Sequence, residues 1–140
     1  MNRIYLDNAA TTPISDNVLK VMNEVMKNNF GNPSSIHSFG RDSKSIIELT
    51  RKNIAKELKI EANEVYFTSG GTESNNMIFN SAINCHGIER VISTKIEHKA
   101  VLKCIDTYFK NNTIDAVYLN VDQAGIPDLN ELENYLKNDN

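Results

Sequence analysis

Residues 64–85 read EVYFTSGGTESNNMIFNSAINC. A short apolar run, Glu64–Phe67, meets two adjacent glycines and a block of small polar residues. Met77, Ile78 and the residues after them then fall at helical spacing. The order predicts a strand, a tight turn and a helix N-terminus. In open α/β sheets, ligands bind beyond the carboxyl ends of strands. A helix N-terminus offers N–H groups without intrahelical partners and the positive end of the helix dipole. Gly70 and Gly71 let the backbone approach a bound group closely, while Ser69, Thr72 and Ser74 add hydroxyl donors. Such a set suits a phosphate dianion. It is neither of the common nucleotide motifs: a P-loop needs Lys-Ser/Thr after its last glycine, and a dinucleotide turn needs G-x-G-x-x-G. Composition and spacing therefore leave two readings side by side, a phosphate cup and a plain strand-to-helix turn with a capped helix.

Outward from this stretch, RVIST (Arg90–Thr94) and IDAVYLNV (Ile114–Val121) are two further β-branched and aromatic runs. Helical stretches are expected over Thr72–Cys85, His98–Phe109 and Asp128–Leu136. Asp128 and Glu131 have capping-box spacing. The resulting βαβαβα order predicts an α/β fold with a parallel sheet and right-handed crossovers. Upstream, RIYL (Arg3–Leu6) reads as extended. Ser15 suits an N-cap, Ile14 is placed to staple onto Leu19, and Val18, Leu19, Met22, Val25 and Met26 share one helical face. NNFGNPSS (Asn28–Ser35) is a loop. A second helix is expected over Ser38–Leu58, with Ile47, Ile54 and Leu58 on its buried stripe. The chain thus divides into an arm with two helices (residues 1–60) and the βαβαβα part (residues 61–140).

The bulk numbers agree with a soluble globular domain: 140 residues, 40% apolar, 24% charged, net charge −3 and pI about 5.6. Nothing in that balance points to a nucleic-acid or membrane surface. Cys85 and Cys104 lack CxxC spacing and no two histidines sit at ligand spacing, so no metal is expected. MNRIYLDNAA lacks the apolar region of a secretory signal, which makes the cytoplasm the expected location. The glycosylation pattern at Asn111–Thr113 is read as an accident in that setting.

Four stretches taken together resemble one family. YLDNAATTP (Tyr5–Pro13), GNPSSIHSFGR (Gly31–Arg41), FTSGGTESNN (Phe67–Asn76) and EHKAVL (Glu97–Leu102) are similar, in order and spacing, to the N-terminal part of the pyridoxal-phosphate-dependent cysteine desulfurases of the class V aminotransferase group. The resemblance implies the N-terminal portion of a three-layer α/β/α transferase fold of the aspartate aminotransferase type, incomplete in this chain. It implies pyridoxal 5'-phosphate as cofactor, L-cysteine as substrate, a sulfur acceptor or scaffold protein, and a homodimer. Gly71 and Thr72, with Gly70 beside them, match the positions that hold the cofactor phosphate. His98 matches a histidine that stacks on the pyridine ring and moves protons, work an imidazole suits because its unperturbed pKa lies near neutrality. Asn8, Ala9 and Thr11, within Asn8–Thr12, and Asn32, within Asn32–Ser35, match loops that approach the substrate or the dimer interface. Asn32 also suits a turn before Pro33.

The resemblance carries two further expectations. In the family the lysine that holds the cofactor covalently, the aspartate on its ring nitrogen and the nucleophilic cysteine lie downstream of the part matched here. Lys99 does not stand in for that lysine, because its surroundings match the ring-stacking histidine. The 140-residue chain is thus expected to be inactive alone. In the family's sheet, moreover, the strand matching EVYF lies far from the next two, so EVYF is not expected to pair with RVIST. Two other readings stand beside the desulfurase: a selenocysteine lyase or another class V enzyme, and an autonomous α/β module that binds a phosphate-bearing ligand without catalysis.

Overall fold

The computed structural model describes residues 3–137, in two compact units, Met1–Tyr66 and Phe67–Asn140. The second unit starts with helix α3 (Gly71–Asn80), which runs on into one widened helical turn at Ser81–Cys85. Strand β1 (Arg90–Thr94), helix α4 (Lys99–Lys110), strand β2 (Asp115–Leu119) and helix α5 (Leu129–Lys137) follow. β1 and β2 pair in parallel, with Arg90 opposite Asp115 and Thr94 opposite Leu119. At the first of these rungs Arg90 Nε lies 3.0 Å from Asp115 Oδ2. The two strands are joined through α4, as a parallel pair requires.

The periodicity of α4 explains the core. Val101, Cys104, Ile105 and Tyr108 recur at helical spacing and turn one face inward. Ile105 is only 1% exposed and packs with Ile83 and Ile114, flanked by Phe79, Val91, Val101, Tyr108, Ala116 and Tyr118. α3 packs against α4. Tyr108 OH donates to Asn80 Oδ1 at 3.4 Å, joining the C-terminal halves of the two helices. β1 delivers the chain to the N-terminus of α4.

Two devices close the unit. Asp122 Oδ1 accepts from Ala124 N and Ile126 N across a turn that needs Gly125 at φ +81°. Asp128 Oδ1 then accepts from Asn130 N and Glu131 N at the start of α5. The expected reciprocal box is only half made. Glu131 reaches Asn120 N and Nδ2 instead, and Asp128 N donates to Asn120 O.

The described part of the first unit holds helix α1 (Asp16–Asn28), helix α2 (Ser38–Leu58) and a 3₁₀ turn at Ala62–Glu64. α2 ends on Lys59 in the left-handed region (φ 57°), whose N–H bonds back to the last turn while Ile60 N donates to Ala55 O. Arg51 donates to Val65 O and ties the 3₁₀ segment to α2. Ahead of α2 the backbone folds tightly on itself. A Cβ on Gly31 would come within 2.4 Å of Phe39 O, and one on Gly40 within 2.4 Å of Ser35 O and 2.6 Å of Asn32 O. Only glycine permits that approach.

Several expectations are corrected. Val65–Phe67 form no strand among the described residues, against the expected strand there; EVYF accordingly does not pair with RVIST, as the resemblance implied, and the sheet among the described residues has two strands. A strand exists by its partners, and EVYF finds none here. Arg3–Leu6 are likewise unpaired, and the described part of the N-terminal arm is exposed. Ser15 takes the N-cap position of α1 with extended backbone, but its side chain makes no capping bond. Ile14 and Leu19 are both exposed, as are Val18, Met22 and Met26. On α2, Ile47 and Ile54 are half-buried while Leu58 is exposed; the buried positions are Gly40, Ser43 and Ala55.

Candidate functional site

Gly70 is the N-cap of α3, with φ +156° and ψ 178°. This region is closed to L side chains and open to glycine. The backbone N–H groups of Gly71, Thr72 and Glu73 find no acceptor among the described residues, the first capping bond inside the turn being Ser74 N to Gly70 O at 3.1 Å. Cβ atoms built on Gly70 or Gly71 would meet nothing within 4 Å. The turn thus leaves three N–H donors without acceptors at the positive end of a helix, with room beside both glycines.

The three hydroxyls expected to join them are not equivalent. Ser69 N and Ser69 Oγ both donate to Glu73 Oε2, each at 2.6 Å. Those two bonds hold the Glu73 carboxyl below the usual carboxylate range, the side-chain bond having the larger effect. Thr68 Oγ1 and Ser74 Oγ lie 2.8 Å apart, and both hydroxyls also reach Gly70 O. Ser69 and Ser74 are therefore spent inside the turn. Thr72 Oγ1 alone has no hydrogen-bond partner among the described residues, while Thr72 O accepts from Asn76 Nδ2. The Ser69–Glu73 bond went unread in the sequence, although a serine four residues ahead of a glutamate at a helix start resembles a capping box.

His98 occupies the N-cap of α4. Its Nδ1 accepts from Ala100 N at 3.1 Å, so the neutral ring carries its proton on Nε2. The ring is exposed. The Gly70–Thr72 turn and His98 thus each stand at the N-terminus of one of two packed helices, and no hydrogen bond joins them among the described residues. A cleft of about 500 Å³ in this unit is lined by Lys95, Leu102, Lys103, Asp106 and Tyr118, and by neither the cup nor His98.

In the first unit, Asn8 and Ala9 lie in a turn closed by Ala10 N and Thr11 N, both donating to Asp7 O. All of these side chains are exposed. Asn32 Oδ1 accepts from Ser34 N at 2.9 Å and its carbonyl accepts from Ser35 N, so Asn32 builds the turn at Pro33. His37, which the sequence reading passed over, caps α2 through Nδ1 and Gly40 N at 3.4 Å. Among the described residues no group of His, Cys, Asp and Glu side chains could hold a metal ion, and no helix is long and apolar enough to cross a membrane.

A parallel strand–helix–strand unit, with a glycine turn that leaves N–H groups without acceptors at a helix N-terminus, defines an α/β protein. Residues 4–140 match the aminotransferase class-V family, and the chain belongs to it. It is 42% identical over 139 residues to cysteine desulfurase IscS of Dictyoglomus turgidum, covering 97% of this chain and 35% of that relative. Among solved structures, a NifS-like protein superposes with TM-score 0.88 at 36% identity, covering 95% of this chain and 37% of the other. A structure described as SspA in complex with cysteine gives TM-score 0.80 at 29% identity, over 90% of this chain and 37% of that one. The chain spans about a third of the length of these relatives. Class V enzymes of the desulfurase kind depend on pyridoxal phosphate, and the open donors of Gly71 and Thr72 fit its phosphate.

Proposed function

We propose that this chain supplies the cofactor-phosphate cup and the ring-stacking histidine of a cysteine desulfurase, which converts L-cysteine to L-alanine and passes the sulfur to a protein persulfide. The observation that carries the reading is the pair of acceptor-free N–H groups at Gly71 and Thr72, beside glycines with open space around them. In this reading Gly71 and Thr72 hold the phosphate dianion through backbone N–H groups and the Thr72 hydroxyl, and Gly70 sets their direction. His98 would stack on the cofactor ring, and its Nε2 would be the nitrogen left to give or take a proton while Nδ1 accepts from Ala100 N. The bound cofactor supplies the electron sink for cleavage chemistry at cysteine. L-cysteine as substrate is supported by the cysteine desulfurase relatives and by the cysteine-bound structure similar to this chain. Asn8, Ala9, Thr11 and Asn32 belong to loops that face the substrate or the second copy of a homodimer. A sulfur acceptor or scaffold protein completes the proposal. So does a cytoplasmic location, where exposed Cys85 stays a thiol.

The test is a titration of the 140-residue chain with pyridoxal phosphate, followed through the amide resonances of Gly71 and Thr72. Saturable shifts at both, reproduced more weakly by inorganic phosphate, are expected. No response at either amide refutes the cup. Reduction of the mixture with borohydride is expected to label no single lysine, Lys99 included.

A further inference from the structure

Glu73 is the unexpected feature of the cup. Its carboxylate adds a negative charge beside a site meant for an anion, which costs affinity if charge is all that matters. The geometry gives it another task. One oxygen, Oε2, takes both donors of Ser69 at 2.6 Å, from the third residue of α3 back across Gly70. That contact bridges the two ends of the turn whose only unusual backbone is Gly70. It also withdraws Ser69 from the outward-facing donors, leaving Gly71, Thr72 and Glu73 N–H as the free set.

We infer that Glu73 is a positioning residue of the phosphate cup: by fastening Ser69 across Gly70, it holds the Gly71 and Thr72 amides in the direction that binds phosphate. This rests on the cofactor reading above. The direction of the Glu73 titration agrees, since the carboxyl is favoured in its charged, fastened form.

Two variants separate fastening from charge. Glu73→Gln keeps an oxygen acceptor for Ser69 N and loses the charge. Glu73→Ala loses both, in an exposed first turn where alanine is a good helix former. Affinity of the full 140-residue chain for pyridoxal phosphate and for inorganic phosphate is read from the Gly71 and Thr72 amide shifts. Amide exchange at both residues is measured without ligand, and far-UV circular dichroism confirms helix content. Glu73→Ala is expected to weaken both ligands roughly fivefold or more, on the scale of one or two lost hydrogen bonds, and to speed exchange at Gly71 and Thr72. Glu73→Gln is expected to stay within about twofold of the parent or to bind more tightly, as lost repulsion offsets the weaker neutral bond. Alanine binding as tightly as the parent, or glutamine falling as far as alanine, overturns the inference and leaves the cup intact. A parent chain that shifts neither amide refutes the cofactor reading instead, and this role for Glu73 with it.

Discussion

Replacing Gly70 with alanine isolates one physical cause. The added methyl group meets no atom within 4 Å, so it clashes with no neighbouring residue. What opposes it is the backbone itself: φ +156° with ψ 178° is a conformation an L residue adopts at a cost of roughly 1–3 kcal/mol. Because the turn is exposed, the chain can shed that strain by rotating the Gly70 peptide, which swings the Gly71 and Thr72 amides off their common direction. Up to the same free energy then leaves the anion affinity, a factor of about 5 to 150. The fold of the unit is spared, since its core of Ile83, Ile105 and Ile114 lies elsewhere. A second replacement checks the cause. D-alanine at position 70 sees the mirror image of these angles, inside the ordinary β region, and should bind phosphate like the parent. The D variant is reachable by ligation of a synthetic segment at Cys85. Amide-detected phosphate titrations of the three proteins decide the matter. L-alanine binding as well as glycine, or D-alanine binding as poorly as L-alanine, would refute the argument.

Three further outcomes are expected. Gly40→Ala places a methyl group 2.4 Å from Ser35 O and 2.6 Å from Asn32 O, both backbone atoms; the overpacking should cost about 3 kcal/mol, of which about 1 kcal/mol returns as helix propensity, so a net loss of about 2 kcal/mol is expected in denaturant unfolding followed by helix content, and a neutral result contradicts the close approach. Ile105→Ala should cost about 2–5 kcal/mol and expose β1 and β2 amides to exchange, since Ile105 is the most buried side chain of the second unit's core; protection left unchanged in both strands would show that the core lies elsewhere. The Ser69–Glu73 fastening should persist from neutral pH downward and fail with a midpoint below that of an ordinary glutamate. Glu73 has its pKa lowered in the folded chain, so the stabilisation is present above the unfolded value and lost as pH falls through the folded one. The Ser69 amide resonance reports this, and a midpoint at or above the ordinary value sinks the assignment.

What the sequence disclosed followed the range of the interactions involved. α2 has the expected bounds, Ser38–Leu58, because its ends are written locally: His37 caps it, and Lys59 turns left-handed after it. RVIST matches β1, and α4 begins one residue after His98 as its cap. EVYF had the composition of a strand and is none, because strand composition states a fit to a half-buried surface and not the presence of one. Leu58 and, on α1, Val18, Leu19, Met22 and Met26 had helical periodicity and remain exposed for the same reason. The widened turn at Ser81–Cys85 had no signal in the residues. At the cup, the glycines and the helix start could be read directly. Which hydroxyl stays available could not, because Ser69 and Ser74 are claimed by partners four and six residues away in competition with water.

That difference bears on what holds the candidate site in shape. The bonds that define it are short in sequence: Ser69 to Glu73, Thr68 to Ser74, His98 to Ala100, Asn32 to Ser34. None needs the sheet, which here is a two-stranded parallel pair whose middle residues are only half-buried. The N–H directions at the turn depend on bonds within it, Ser69 to Glu73 and Ser74 N to Gly70 O, and not on the sheet. Proton transfer at His98 is more demanding, since it needs the ring placed against a partner atom to a few tenths of an ångström, and one bond to Ala100 N sets the ring's tautomer without fixing its distance from anything else. Anion binding at Gly71 and Thr72 should accordingly survive perturbations of the second unit's core that leave α3 folded, whereas any proton-transfer role of His98 should be lost with them.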